Sequence, residues 1–129
     1  MRNKQKTQLI WLAVAIGLVA VFGLLVYQKS APGELDGFAQ CLSEKQVTFF
    51  GAFWCPHCRD QKELFGNSAR LLPYVECSTP DGNAMTIECQ KEDIKSYPTW
   101  EFADGSRETG ELSLQFLAEK SGCELPVNY

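Results

Sequence analysis

A chain of 129 residues has room for one domain beyond whatever its N-terminus forms. Hydrophobic residues make up 45% of it, enough for a globular core, and the formal net charge is −4. The charge is unevenly spread: residues 1–29 hold four of the 12 Lys and Arg and no acid, so residues 30–129 sit near −8. That balance argues against nucleic acid and anionic lipid surfaces as partners, and plain solubility also accounts for it.

Arg2, Lys4 and Lys6 precede LIWLAVAIGLVAVFGLLVY (9–27), a run of 19 residues without a charge. As a helix it spans roughly 28 Å, about one hydrocarbon core. Lys29 follows, then Glu34 and Asp36. Positive residues stay on the cytoplasmic side, which predicts residues 1–8 inside and residues 30–129 outside. A cleaved signal peptide has a shorter apolar region and a small-residue cleavage site. Here the junction YQKSAPG puts Gln28 or Lys29 where a small residue is needed, so the run reads as a signal anchor in the cytoplasmic membrane. Trp11 lies near its cytoplasmic end, as interface tryptophans do. Ala13 and Gly17 form a small-xxx-small pair, weak evidence of dimerisation in so Ala- and Gly-rich a span.

Residues 28–37 read as a linker, 38–125 as the folded domain and 126–129 as a tail. ELDGFAQCLSEK (34–45) has Leu35, Phe38 and Leu42 at helical spacing. VTFFGAFW (47–54) is apolar, β-branched and aromatic, which suits a strand buried on both faces. RDQKELFGNSARLL (59–72) reads as a helix with Phe65, Ala69 and Leu72 on one face, a kink or break at Gly66-Asn67, and an end at Pro73. YVEC (74–77) is a short second strand, AMTIECQKEDI (84–94) a short helix and PTWEFA (98–103) a third strand. Asp104-Gly105 is a hairpin turn and SRETG (106–110) returns as a fourth strand. LSLQFLAEKSG (112–122) closes the chain as a helix ending at Gly122. The order predicts an α/β domain: a four-stranded mixed sheet flanked by helices, with the first two strands parallel and joined by a right-handed crossover.

Six cysteines is an even number, and outside the cytoplasm it points to disulfides. Two of them form WCPHC (54–58), between the buried strand and the next helix. Backbone N–H groups at a helix start stabilise an anion, and the thiolate is the reactive form of cysteine. Pro56 suits the first turn, where its missing N–H costs little. Cys58 lies one turn further in, within reach of a disulfide to Cys55. This predicts an exposed attacking thiol, Cys55, and a shielded resolving thiol, Cys58. His57 can donate a hydrogen bond or carry charge near the thiolate, which favours the reduced form and makes the pair a stronger oxidant. A structural zinc site needs four ligands. The lone histidine lies inside the motif and no second C-x-x-C exists, so neither a metal nor another cofactor is expected beyond the redox-active disulfide.

With these residues in hand, the chain from 47 to 122 resembles a thioredoxin-fold domain. FFGAFWCPHC resembles that family's strand and active-site segment, and SYPTW (96–100) resembles its cis-proline loop, which would make Tyr97-Pro98 the pair that faces the disulfide. CPHC resembles the motif of DsbA-type oxidants. CPHCRDQKELFG, YVEC and SYPTWEFADGSRETGELS look most like the thioredoxin-like domain fused to, or partnered with, bacterial vitamin K epoxide reductase homologues. Thioredoxins hold a buried aspartate six residues before the first cysteine; here that position is Phe49, which fits an oxidant better than a reductase. The fold so implied suggests Cys77–Cys89 and Cys41–Cys123 as structural disulfides, the second clipping the N-terminal helix to the C-terminus.

The resemblance implies a thiol–disulfide oxidoreductase with Cys55 and Cys58 as catalytic residues, supported by Trp54, Pro56, His57, Tyr97 and Pro98. Its partners would be exported proteins with cysteines and a quinone-linked membrane protein that reoxidises it. The alternatives are a reductase or isomerase, a metal-binding module using Cys55, His57 and Cys58, and a docking module.

Overall fold

A computed structural model of the chain describes residues 2–129. Met1 and the side chains of Arg2, Asn3, Lys29 and Ser30 lie outside what is described, and with them the flanking charges of Arg2 and Lys29. The chain forms two compact units, the first ending at Ala31 and the second running from Pro32 to Tyr129.

The first unit is one helix, α1 (Arg2–Ser30). Its stretch Lys4–Gln28 has a mean hydropathy of 2.8 and is long and apolar enough to cross a membrane, by length and composition. Apolar side chains along it, from Leu9 to Tyr27, are exposed.

The second unit has a thioredoxin-like fold. In chain order it runs α2 (Asp36–Glu44), β1 (Thr48–Gly51), α3 (Pro56–Glu63), a 3-10 helix (Gly66–Leu71), β2 (Tyr74–Glu76), α4 (Ile87–Lys91), β3 (Thr99–Glu101), β4 (Arg107–Thr109) and α5 (Leu114–Ser121). The sheet order is β2-β1-β3-β4. The first pair is parallel, with Phe49 opposite Tyr74; β3 is antiparallel to both β1 and β4, with Phe49 opposite Trp100. Phe49 is thus at the centre of the sheet. It stacks on Trp100 at 4.5 Å between ring centroids and meets Tyr74 edge-on at 5.2 Å. An aspartate at this position would face two aromatic rings, so the apolar residue here belongs to a continuous core.

That core joins Leu35, Phe38 and Leu42 to Phe65, Trp100 and Leu117. Phe38 stacks on Phe65 at 5.8 Å. Ser113 caps α5, its Oγ accepting from the Phe116 N–H at 3.1 Å, and Gly122 ends it in a left-handed conformation, φ 73°. Cys41 is bonded to Cys123 and Cys77 to Cys89.

The elements are shorter than the sequence pattern predicts. The strand expected over 47–54 is Thr48–Gly51, because the backbone turns at Phe53-Trp54 to enter α3. The helix expected over 84–94 is Ile87–Lys91. The long amphipathic stretch 59–72 breaks where Gly66 adopts φ +51°, and the chain continues as the 3-10 helix. The linker also ends sooner: Pro32–Gly37 belongs to the compact unit rather than to a tether. Leu35 is buried, its N–H donates to Ser68 Oγ at 3.0 Å, and Asp36 is paired with Arg70. Gly33 packs so closely on Ser68 that a Cβ there would lie 2.1 Å from its Oγ.

Candidate active site

The C-x-x-C motif sits at the end of β1 and the start of α3. Cys55 is the N-cap of α3, with extended backbone, and Pro56 fills the first helical position. The Cys55 sulfur accepts the backbone N–H of Cys58 at 3.3 Å, closing the first turn through sulfur instead of the usual hydroxyl or carboxylate. Cys58 therefore points back at its partner, and Cys55 and Cys58 are unbonded thiols in contact at the helix start.

Cys55 is less exposed than expected for an attacking thiol. It is 5% exposed and Cys58 1%, because the Cys55 side chain folds over the helix terminus to take that hydrogen bond. The difference between them lies in chemistry. Burial pushes the Cys58 thiol up to about 12, helped by its hydrogen bond to Cys55 and opposed by the Ala52 backbone N–H and the Lys62 charge. At neutral pH burial keeps Cys58 of the dithiol protonated.

The ring of residues around the pair is apolar. Phe53 and Trp54 are 59% and 53% exposed. Trp54 is held by two contacts: its indole N–H donates to Ser78 Oγ at 2.8 Å, and its ring meets Tyr97 edge-on at 5.9 Å. Tyr97-Pro98 is a cis peptide bond, with Pro98 buried just before β3. His57 is turned outward: its Nδ1 lies 2.5 Å from Glu111 Oε1, so its hydrogen bond goes to that carboxylate. His57, Asp60 and Glu111 form an exposed group with ligating atoms within 4.8 Å of one another, without either cysteine.

Beneath the motif lies a second set of polar groups that sequence reasoning missed. Glu76, at the end of β2, accepts the Phe53 and Ser78 backbone N–H groups through Oε1 and the Tyr74 hydroxyl through Oε2. The Lys62 ammonium lies 3.2 Å from the Tyr74 ring centroid. Gly51 opens the space between these groups and the motif: a Cβ there would lie 2.8 Å from the Tyr74 ring and 3.0 Å from Cys58 Sγ. Burial pushes the Tyr74 phenol far above its ordinary range, as does its bond to Glu76, whereas burial lowers Lys62. Gln61 is also buried and uncalled for by pattern. It exchanges two hydrogen bonds with the Leu112 backbone, 3.0 Å and 2.6 Å, and so ties α3 to the start of α5. The only signal for Glu76 was its place beside Cys77 in YVEC, and an acid in a short strand is commonly just its solvent-facing side.

A thioredoxin-like fold with two thiols at the start of the first crossover helix defines a class of scaffold suited to dithiol–disulfide exchange. Two similar proteins point the same way. The chain is 40% identical over 105 residues to thiol-disulfide oxidoreductase LTO1 of Arabidopsis thaliana, covering 78% of this chain and 27% of that protein. It is 28% identical over 97 residues to protein disulfide isomerase-like 5-1 of Oryza sativa subsp. japonica, covering 69% of this chain and 66% of that protein. The chain thus spans about a quarter of the length of the first and just under two thirds of the second. No family model matches it. Together the relatives and the paired thiols support an oxidoreductase of thioredoxin-like fold.

Proposed function

We propose that the protein is a membrane-anchored thiol–disulfide oxidoreductase that introduces disulfides into exported proteins. The observation that carries this reading is the Cys55–Cys58 pair at the N-terminus of α3, one sulfur accepting a helix-start N–H and the other buried and protonated. In the oxidising direction a substrate thiolate attacks Cys55 of the disulfide. The bond to Cys58 breaks, and Cys58 leaves with the electron pair and takes a proton. A second substrate thiolate then attacks the mixed disulfide and expels Cys55, so the substrate gains a disulfide and the protein ends as a dithiol. A quinone-linked membrane protein similar to vitamin K epoxide reductase would reoxidise it, a role that rests on the resemblance of CPHC, YVEC and SYPTW. The α1 helix would hold the domain beside that partner and raise their effective concentration, with the domain on the outer face.

The reduction potential of Cys55–Cys58 tests the direction. Trp54 adjoins the motif, so its fluorescence in glutathione buffers is the natural readout. A value of about −120 to −180 mV supports disulfide formation or shuffling, and about −270 mV marks a reductase instead. The rice relative's name favours shuffling as the second reading; refolding of a scrambled substrate separates the two, since an isomerase restores native pairs without net oxidation. Alkaline extraction of membranes and protease access to the domain test the anchor and its sidedness.

A further inference from the structure

β1 offers Cys58 no carboxylate, since Thr48–Gly51 carries none. What lies near it instead comes from α3 and β2. Gly51 lacks a side chain, and the space its Cβ would fill is bordered by Cys58 Sγ at 3.0 Å and by the Tyr74 ring at 2.8 Å and hydroxyl at 3.4 Å. On the Tyr74 ring sits the Lys62 ammonium, 3.2 Å from the centroid and 6.0 Å from that of Phe49. The Tyr74 hydroxyl donates to Glu76 Oε2 at 2.8 Å, and the other oxygen of Glu76 is fixed by two backbone N–H groups. The half-buried Lys62 ammonium thus rests on the face of Tyr74, whose hydroxyl holds Glu76 and whose ring borders the same space as Cys58 Sγ.

We propose that Lys62, resting on the Tyr74 ring that Glu76 anchors, is the counter-charge for the Cys58 sulfur as it leaves the Cys55–Cys58 disulfide. The inference rests on the redox reading above and names positioning residues for it. When a thiolate attacks Cys55 Sγ, the S–S bond breaks and its electron pair moves to Cys58 Sγ. The negative charge develops on a sulfur that is 1% exposed, where a nearby cation stabilises it more than it would a solvent-exposed charge. Cys58 then takes from solvent the proton that the attacking thiol released, and Lys62 keeps its own. The electrostatics agree: the Lys62 charge favours the Cys58 thiolate, and Glu76 and Cys58 both favour the charged form of Lys62 against its burial. The other titratable groups facing this space are Tyr74 on β2, Cys55 at the start of α3 and Tyr97 before β3, the last under the influence of Glu76 and both cysteines.

The role is kinetic, and this sets it apart from a structural one. Cys58 is protonated in the neutral dithiol, so removing the Lys62 charge should leave the reduction potential unchanged and slow reduction and reoxidation together. The experiment uses the full chain in detergent, with glutathione as the probe, rates being expressed per glutathione thiolate. Lys62→Met and Lys62→Gln should each slow reduction of the disulfide about tenfold, the factor for a modest loss of charge stabilisation in the transition state. Lys62→Arg should restore most of it. Glu76→Gln should bring the alkaline fall in rate to lower pH, because Lys62 then loses its proton sooner. Native rates in both neutral variants would overturn the proposal, as would a shift in potential that accounts for the slowing. If Cys55 and Cys58 form no disulfide at all, the functional reading falls and this one with it; if they do and Lys62→Met reacts normally, only this one falls.

Discussion

The backbone N–H of Cys58 donates to the sulfur of Cys55 across 3.3 Å, so the two thiols of the motif are joined by the cap of the helix that carries them. Sulfur is a weak acceptor when protonated and a stronger one as thiolate. The contact therefore gains strength in the form of Cys55 that reacts.

Substitution of each cysteine should separate the two roles. Cys55→Ser should abolish oxidation of a dithiol peptide. Cys58→Ser should retain attack through Cys55 and accumulate mixed disulfides, visible on non-reducing gels. Full turnover of dithiol substrates by Cys58→Ser would exclude the two-cysteine mechanism.

The raised Cys58 thiol makes a statement about alkaline stability. Its folded value, about 12, lies above the ordinary 9.0. Between those values the unfolded chain has released the proton and the folded dithiol has not, so folding loses stability as pH rises from 9.0 toward about 12. The disulfide form has no such proton. Melting temperatures of the oxidised and reduced protein should diverge with increasing pH above about 9, with the reduced form falling faster. Parallel curves would contradict the assignment.

Asp36 gives the opposite sign at the acid end. The bidentate Arg70 guanidinium, at 2.7 Å and 2.6 Å, holds its carboxyl well below the usual carboxylate range. The stabilisation is complete above the ordinary carboxylate value and is lost as pH falls through the lowered one. Asp36→Asn should flatten the acid limb of the melting curve relative to the native chain.

Gly51→Ala tests the close packing behind the motif. The added methyl would meet the Tyr74 ring at 2.8 Å and the Cys58 sulfur at 3.0 Å, and neither is the free end of a flexible chain. A loss of about 1–3 kcal/mol in urea unfolding is expected for such overpacking. The reactivity of Cys58 should change with it, measured by alkylation of the Cys55→Ser background.

The two structural disulfides should contribute unequally. Loop closure over a separation of 82 residues gives about 4.5 kcal/mol for Cys41–Cys123, and over 12 residues about 3 kcal/mol for Cys77–Cys89. Paired alanine substitutions and urea titration would check the order. The smaller loop carries Ser78, which holds Trp54, so its loss should also alter Trp54 fluorescence.

Much of the protein was written in local pattern. The apolar run of α1, the helical spacing of Leu35, Phe38 and Leu42, the β-branched and aromatic residues of β1 and the Asp104-Gly105 turn are each read within a few neighbours, because backbone periodicity repeats over short distances. The start of α3 was equally legible: a proline after a cysteine can only begin that helix well. Element ends were not. Whether Phe53 continues β1 or turns away depends on Glu76, which takes its N–H from 23 residues further on. Likewise Pro32–Gly37 reads as a tether until Ser68 and Arg70 are brought against it. The grouping of Lys62, Tyr74 and Glu76 was invisible for the same reason. Lys62 and Glu76 are ordinary surface residues in sequence; the parallel pairing of β1 with β2 sets Glu76 opposite Gly51, and α3 lays Lys62 on Tyr74. The sequence by itself determined which residues could do redox chemistry. The tertiary structure decided that both sulfurs are buried, which groups surround them and where His57 points, because those depend on contacts between segments that periodicity does not connect.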